Sequence, residues 1–329
     1  MSPHLVPLPP ELQQRVFTLA QAAAVGISER DLRRRGDVTS VGWGLYASAD
    51  FTTTPGMIAG AIARRHPEAW VSHGSAANVL GIELLDGFEE ARPQLTVASA
   101  REVIRSRGVL CHRDGFVGRG IGTFSGVRVS SPERIWMELS SSLSQRRAVM
   151  LGDHLVRVPR HGIEGRDAAF ADLVSLLALL DEVDEALRTP PPRTATSAEW
   201  EGRRARVASL RAAAGLIRVG ADSPPETALR LAILHAGLPE PSLQYALRSG
   251  NRIVCTADLA YEDAKIAIHY DGSPHLSREG HSKDLTRDNT FSSAGWINIR
   301  VGANDYREGF RTVIALLGKL LAARGTRAG

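Results

Sequence analysis

The chain has 329 residues, of which 43% are hydrophobic and 23% charged, and its formal net charge is +4. This length is enough for two or three domains, and the hydrophobic content is ordinary for a globular protein. Apolar runs are too short to span a membrane and the first residues lack a secretory-signal pattern, so we expect no membrane partner. The only two cysteines, Cys111 and Cys255, argue against a disulfide framework and favour a reducing, cytoplasmic location.

Arginine supplies almost all of the positive charge, since lysine occurs only at positions 265, 283 and 319. A sequence pI near 9.4 is compatible with a polyanionic partner such as nucleic acid. A GC-rich genome would produce the same arginine excess, so composition alone leaves both explanations open.

The first segment, residues 1–50, predicts two short helices followed by a hairpin. Thr18 and Ser28 are typical N-cap residues, Gly26 separates the helices, and "VTSVGWGLYAS" alternates as a hairpin does. Helix, turn, helix and hairpin is the layout of a winged helix. The second helix carries a group of basic residues that either contact nucleic acid or form a solvated face. They are Arg30, Arg33, Arg34 and Arg35.

"FTLAQAAAVGISERDLRRR" and "GWGLYA" give this segment a resemblance to the N-terminal winged-helix domain of abortive-infection (AbiEi-type) antitoxins. The resemblance implies DNA binding or protein binding. Residues 51–215 also resemble the antitoxin region that follows, and predict a mainly helical middle domain that is a second candidate for binding a protein partner. Strand-like pieces occur at "PQLTVAS" and "GVLCHRD". His73, His112, His154 and His161 lack metal-ligand spacing, so we expect surface or structural roles for them.

The last segment, residues 216–329, begins with a strongly marked helix. Ser223 is its predicted N-cap, Pro224 its first residue, and Glu226 the acid of a capping box. Three strands follow, joined by "SGN" and "YEDA", and then a helix over 283–294, a fourth strand and one final helix over 305–323.

Acidic side chains meet at one edge of this predicted sheet. A two-residue turn at 262–263 would place Asp258 opposite Ala267, on the same face as His269 and Asp271. Carboxylates with open positions suit a hard divalent cation, which activates water and neutralises charge on a phosphate. A neighbouring histidine exchanges protons near neutral pH. These groups are those required for phosphodiester hydrolysis.

Five motifs occur in order: "PETALR", "LPEPSLQY", "TADLAYEDAKIAIHYDGSPH", "KDLTRD" and "GWINIRV". Together they resemble the DUF559 branch of the restriction-endonuclease-like PD-(D/E)XK superfamily, which is akin to very-short-patch repair endonucleases. The resemblance implies a mixed sheet flanked by helices, and a nuclease that uses Mg²⁺ or Mn²⁺. It implies metal binding by Asp258 and Asp271. It implies that Glu226 and Arg230 approach the site, that His275 follows the metal ligands and that Arg287 lies in a charged helix after them. Glu226 and Arg230 alternatively form only a capping acid and an i,i+4 ion pair. His269 or His275 is a candidate for proton transfer, Arg287 for a phosphate contact, and Lys283 either contacts phosphate or is solvated in a loop.

His269 departs from the pattern, because most members of that branch carry glutamate there. A neutral imidazole is a poor Mg²⁺ ligand and suits Mn²⁺ or a transition metal better. Either catalysis is lost at this position, or Asp258, Asp271 and His275 suffice for it.

The sequence therefore predicts a multidomain α/β (α+β) protein with a winged helix, a helical middle domain and a nuclease-like domain. The predicted function is metal-dependent endonuclease activity, with DNA favoured over RNA as the nucleic-acid partner. One alternative is a catalytically inactive, antitoxin-like DNA-binding regulator with a decayed nuclease fold. Another is a C-terminal domain that binds a protein or RNA. The oligomeric state is left open.

Overall fold

The structure is a computed structural model, and it describes residues 7–42, 44–85, 88, 91–105, 108–114, 119–160, 165–189, 196–271 and 289–325. These residues form a multidomain α+β protein, as predicted, and their strands are arranged in three sheets. The chain divides into two compact units: Met1–Ser142 with Ala171–Arg211, and Leu143–Phe170 with Ala212–Gly329. No helix within the described ranges has the length and apolar character needed to cross a membrane.

The first unit begins with a small antiparallel sheet and two short helices. The elements are β1 (Phe17–Thr18), α1 (Leu19–Ala24), α2 (Glu29–Arg34), β2 (Val38–Gly42) and β3 (Leu45–Ser48), with strand order β1-β3-β2. Both predicted N-caps are confirmed. The Thr18 hydroxyl accepts from the Gln21 backbone N–H at 3.1 Å, and Gln21 accepts in return. Ser28 and Asp31 form the same reciprocal capping box.

The rest of this unit packs helices around a five-stranded mixed sheet of order β6-β5-β4-β8-β7. Its strands are β4 (Trp70–Val71), β5 (Gln94–Val97), β6 (Leu110–Arg113), β7 (Ile121–Phe124) and β8 (Val127–Ser130). Its helices are α3 (Pro55–Ala63), α4 (His73–Val79), α5 (Pro132–Ser140), α7 (Leu173–Arg188) and most of α8 (Ser197–Ala214). Helix predominates, as predicted, but the sheet is larger than the two strand-like pieces indicated.

The second unit contains a four-stranded sheet of order β12-β11-β10-β9, which is mixed because β11 and β12 run parallel. The strands are β9 (Ser242–Ser249), β10 (Arg252–Tyr261), β11 (Ile266–Asp271) and β12 (Ile297–Gly302). The helices are α6 (Gln145–Val156), α9 (Pro224–His235), α10 (Ala303–Arg307) and α11 (Arg311–Ala323). Helix α6 lies in the range that the sequence assigned to the middle domain, and the structure groups it with the C-terminal sheet.

The single final helix predicted over 305–323 is wrong, because two helices occupy this range. Gly309 and Phe310 both adopt positive φ angles, +69° and +61°, between α10 and α11. Left-handed backbone cannot continue an α-helix, and glycine at the first of these positions makes the break inexpensive.

A buried ion pair links α6 to α9 within the second unit. Arg230 is fully buried, and its guanidinium donates to Asp153 at 2.9 Å, to Glu240 at 3.0 Å and to the Leu216 carbonyl at 2.8 Å. Asp153 is equally buried and also accepts from the Thr227 hydroxyl at 2.8 Å. Two opposite charges thus neutralise each other where water cannot reach them.

Asp153→Ala should therefore destabilise the second unit strongly, because it leaves the Arg230 charge buried without its most buried partner. We expect a loss of roughly 3–5 kcal/mol in the free energy of unfolding. Glu240→Ala is the matched control, since this half-exposed partner of the same arginine is replaceable by water. Urea unfolding followed by circular dichroism measures both variants, and equal losses would contradict the assignment.

Candidate functional site

Asp258 lies on β10, and the strand register brings it next to the end of β11, although not by the predicted pairing. Ala260, not Asp258, lies opposite Ala267. The difference arises because the turn spans four residues, with Lys265 at φ +48° donating its N–H to the Glu262 carbonyl at 3.0 Å. The shift is two residues, so the alternation of side chains is preserved. The half-buried Asp258 carboxylate accepts from the Tyr270 backbone N–H at 2.8 Å.

Glu226 is the buried acid of this site. It lies in the first turn of α9, where it accepts from the Ser223 hydroxyl at 2.7 Å and from the Asp222 N–H at 3.0 Å. The predicted capping box is therefore wrong: Ser223 is the N-cap by position, but its hydroxyl donates to Glu226 and does not accept from the backbone of α9. Burial raises the pKa of Glu226 to about 7, and the negative charge of Asp258 contributes to the rise. An acid that titrates near neutral pH beside a second carboxylate is typical of functional sites.

Two side chains extend this pair: Gln244, which from sequence faces either the site or the surface, and Arg160, which the sequence analysis missed. Gln244 approaches Glu226, with 3.4 Å between its amide nitrogen and the carboxylate, and its φ of +48° is rare for this residue type. Arg160 binds Asp222 at 3.1 Å, and the charges of Asp258 and Glu226 add to that hydrogen bond in raising the pKa of Arg160. Arg160 lies 98 positions before Asp258, so only the fold brings them together.

The other two predicted residues of β11 have different environments. His269 is fully buried, with its ring edge-on to Phe291 at 5.5 Å between centroids. Asp271 is partly exposed and accepts from Arg300 at 2.8 Å and 2.9 Å through its two oxygens. A cation that bound Asp271 would compete with this arginine.

Arg230 and Arg35 are not placed to contact nucleic acid, contrary to the prediction. Arg230 is buried between the carboxylates of Asp153 and Glu240, and it pairs with these two acids and not with Glu226. Arg35 is buried and makes a two-point contact with Asp37 at 2.8 Å and 2.6 Å, which raises the pKa of its guanidinium. Both arginines stabilise the fold.

The remaining basic residues of α2 do face solvent. Arg30, Arg33 and Arg34 are exposed, and Arg33 forms an i,i+4 ion pair with Glu29 at 2.5 Å. Exposed pairs of this kind are worth little energy and break easily, so all three side chains can reach an anionic partner.

Some predicted residues lie outside the part of the chain that the structure describes. They are His161, His275, Lys283 and Arg287. Within the described ranges, no three His, Cys, Asp or Glu side chains are grouped so that they would hold a metal ion. Glu226 and Asp258 supply two oxygen donors, which fits part of a site for a hard cation.

Comparisons with known proteins give two distant relatives. Both are described as uncharacterized proteins of Mycobacterium tuberculosis, one from strain CDC 1551 / Oshkosh and one from strain H37Rv. Each is 24% identical to this chain over 231 residues, which is 70% of this chain and 70% of the relative. No family model matches the chain, and no solved structure matches it.

The pair of carboxylates makes a prediction that is independent of any activity. Asp258→Asn should lower the pKa of Glu226, because it removes a negative charge that opposes ionisation of that carboxyl. A carbon-13 NMR titration of glutamate carboxyl groups measures this, with Glu226→Gln identifying the resonance. Asp263→Asn, in the exposed turn between β10 and β11, is the matched control. An unchanged Glu226 titration in Asp258→Asn would show that the two carboxylates do not interact.

Proposed function

We propose that the second unit is a metal-dependent endonuclease that hydrolyses phosphodiester bonds in nucleic acid, with DNA the favoured substrate. The proposal depends on one observation: a buried acid with a pKa of about 7, Glu226, lies beside Asp258 at the end of a central strand. It draws support from the five ordered sequence motifs and from the mixed sheet on which these residues lie. The half-buried cysteines are consistent with the cytoplasmic location that the proposal includes.

The donor set suits the proposed ion. Glu226 and Asp258 would hold Mg²⁺ or Mn²⁺ through carboxylate oxygens, and the bound ion would supply charge neutralisation at the phosphate. Gln244 offers a further amide oxygen if its side chain turns over.

The residues themselves have separate roles in hydrolysis. Attack of water on phosphorus breaks one P–O bond and releases one proton from the water. Glu226 can accept that proton through the carboxylate oxygen that does not bind the ion. Arg160 has a side chain 61% exposed and lies next to the acidic pair, where its guanidinium can bind a phosphate oxygen.

His269 has a packing role in this proposal. A side chain that is fully buried against Phe291 does not reach substrate, so we do not assign it the proton transfer considered from sequence. The replacement of glutamate by histidine therefore leaves Glu226 and Asp258 as the acids that carry the chemistry.

A non-catalytic DNA-binding regulator is the second candidate. The exposed arginines of α2 favour it. They lie on the second helix of a helix–turn–helix–hairpin arrangement, which is the helix that enters the major groove of DNA in proteins with this arrangement. The two candidates differ in whether Asp258 and a divalent ion matter.

Nicking of supercoiled plasmid DNA in Mg²⁺, and separately in Mn²⁺, tests the endonuclease proposal. Asp258→Asn should abolish cleavage, and Glu226→Gln should slow it by roughly 10²-fold or more because the proton acceptor is lost. Asp263→Asn should cleave as the unaltered protein does.

Cleavage that survives in Asp258→Asn would count against the site. Absence of cleavage by the unaltered protein on duplex DNA, single-stranded DNA and RNA would favour the regulator.

The arginines of α2 give a prediction for DNA binding. Replacement of Arg30 and Arg34 by alanine should weaken binding and reduce the slope of log affinity against log salt by about 2, because two phosphate contacts are lost. Fluorescence anisotropy with a labelled duplex measures this. Arg204→Ala, an exposed arginine of α8, is the control and should change neither quantity. An unchanged slope in the double variant would remove α2 from the interface.

A further inference from the structure

A cavity of about 190 Å³ lies within the first compact unit. Helices α4, α5, α7 and α8 and strands β5 and β6 contribute to its wall. The polar residues that line it include His73, His112 and Thr96, and the apolar residues include Val183, Val207 and Leu210. An engineered apolar cavity of about 150 Å³ holds benzene, so this one is large enough for a single ring with a small polar group.

Two of the polar residues that line the cavity are histidines. The rings of His73 and His112 stack with centroids 3.9 Å apart and planes 21° from parallel. His73, the first residue of α4, has φ +53°, a left-handed conformation that costs energy for a residue with a side chain. Backbone strain of this kind concentrates at functional positions, and here it coincides with a cavity wall.

The His73 ring is held through its Nδ1 atom. Burial lowers the pKa of His73 to about 4, so the ring is neutral at physiological pH. Its Nδ1 lies 3.0 Å from the Ser72 hydroxyl, whose oxygen accepts from Thr96 at 2.7 Å, and 3.6 Å from a Glu138 carboxylate oxygen. A neutral imidazole fixed in this way gives the wall a polar surface without a charge of its own.

The carboxylates near the cavity are hydrogen-bonded to a buried guanidinium. Arg134 is fully buried and donates to Glu138 at 2.9 Å and to Asp114 at 2.7 Å. Glu138 also accepts from the Ser130 hydroxyl at 2.9 Å and the His73 backbone N–H at 2.8 Å. Arg134 balances the charge of one of these two acids, and burial raises the pKa of Glu138, which favours its neutral form.

Further arginines line the cavity. Arg203 and Arg206 lie one turn apart on the same face of α8, and Arg113 comes from β6. Arg113 makes an exposed contact with Glu199 at 3.3 Å. Arg206 is exposed, and Arg203 is half-buried. The wall thus combines guanidinium groups, two imidazole rings and an apolar surface.

We propose that this cavity binds a small organic anion: a carboxylate or phosphate ester carried on an apolar body no larger than about one ring. The guanidinium groups bind the anionic group, and the valine and leucine side chains contact the body. The apolar wall distinguishes such a ligand from inorganic phosphate, which would leave that wall exposed to water.

Benzoate is the probe for the test, measured by saturation-transfer NMR titration against the full chain. Benzoate should bind at least tenfold more tightly than benzamide, its uncharged equivalent, and more tightly than inorganic phosphate. The pair of changes Arg203→Gln and Arg206→Gln should weaken benzoate binding at least tenfold. Arg204→Gln, which changes the charge of the same helix outside the cavity, should leave it unchanged.

Three results would overturn the proposal. One is equal affinity for benzoate and benzamide, since charge would then play no part. Another is benzoate binding that the double variant does not weaken, which would place the site elsewhere. The third is no saturable benzoate binding below about 10 mM, an affinity too weak for a built site. Circular dichroism confirms that the variants fold, and both altered arginines reach the surface of α8.

Discussion

A guanidinium group that is buried away from water needs carboxylates to pair with it, and each compact unit of this protein contains one such buried arginine. Arg230 in the second unit and Arg134 in the first are both completely buried. The cost of removing such a charge from water is several kcal/mol, so the elements that supply its partners must be held in fixed positions. For Arg230 those elements are α6, through Asp153, and the segment before β9, through Glu240.

The same constraint positions the candidate active site. Glu226 and Arg230 lie one turn apart on α9, and they contact different groups. Arg230 binds α6 and thereby fixes the rotation of α9, which holds Glu226 beside Asp258. Segment Leu143–Phe170 thus belongs to the site in a physical sense, since it also contributes Arg160. A fragment that began at residue 216 would lack both of these contributions.

Local signals predicted local structure well. The caps at Thr18 and Ser28 and the start of α9 depend on neighbours within four residues, so their patterns are visible in the sequence. The predicted register between β10 and β11 was wrong by two residues. The left-handed conformation of Lys265, which lengthens the turn between these strands, has no sequence signature. The break at Gly309 was missed because apolar periodicity continues through it.

The burial of charged side chains and the contacts between distant residues were beyond prediction. Arg35 is two positions from its partner Asp37, yet the choice between a surface and a buried arginine depends on how α2 packs. His73 and His112 lack any spacing that suggests a site. They meet because α4 packs against β5, and β6 is the neighbour of β5 in the sheet. The sequence therefore indicated the acids of the C-terminal site but not the cavity of the first unit.

Strand β9 lies at one edge of the four-stranded sheet, where the described residues provide a pairing strand, β10, on one side. A long, regular edge of this kind is a template for association between copies of a chain. The left-handed Gln244 interrupts the extended backbone of β9 near its start. An incoming strand would therefore lose continuous pairing at the point where Gln244 turns toward Glu226. The irregularity that accompanies the approach of Gln244 to Glu226 thus makes this edge a poorer template for strand pairing.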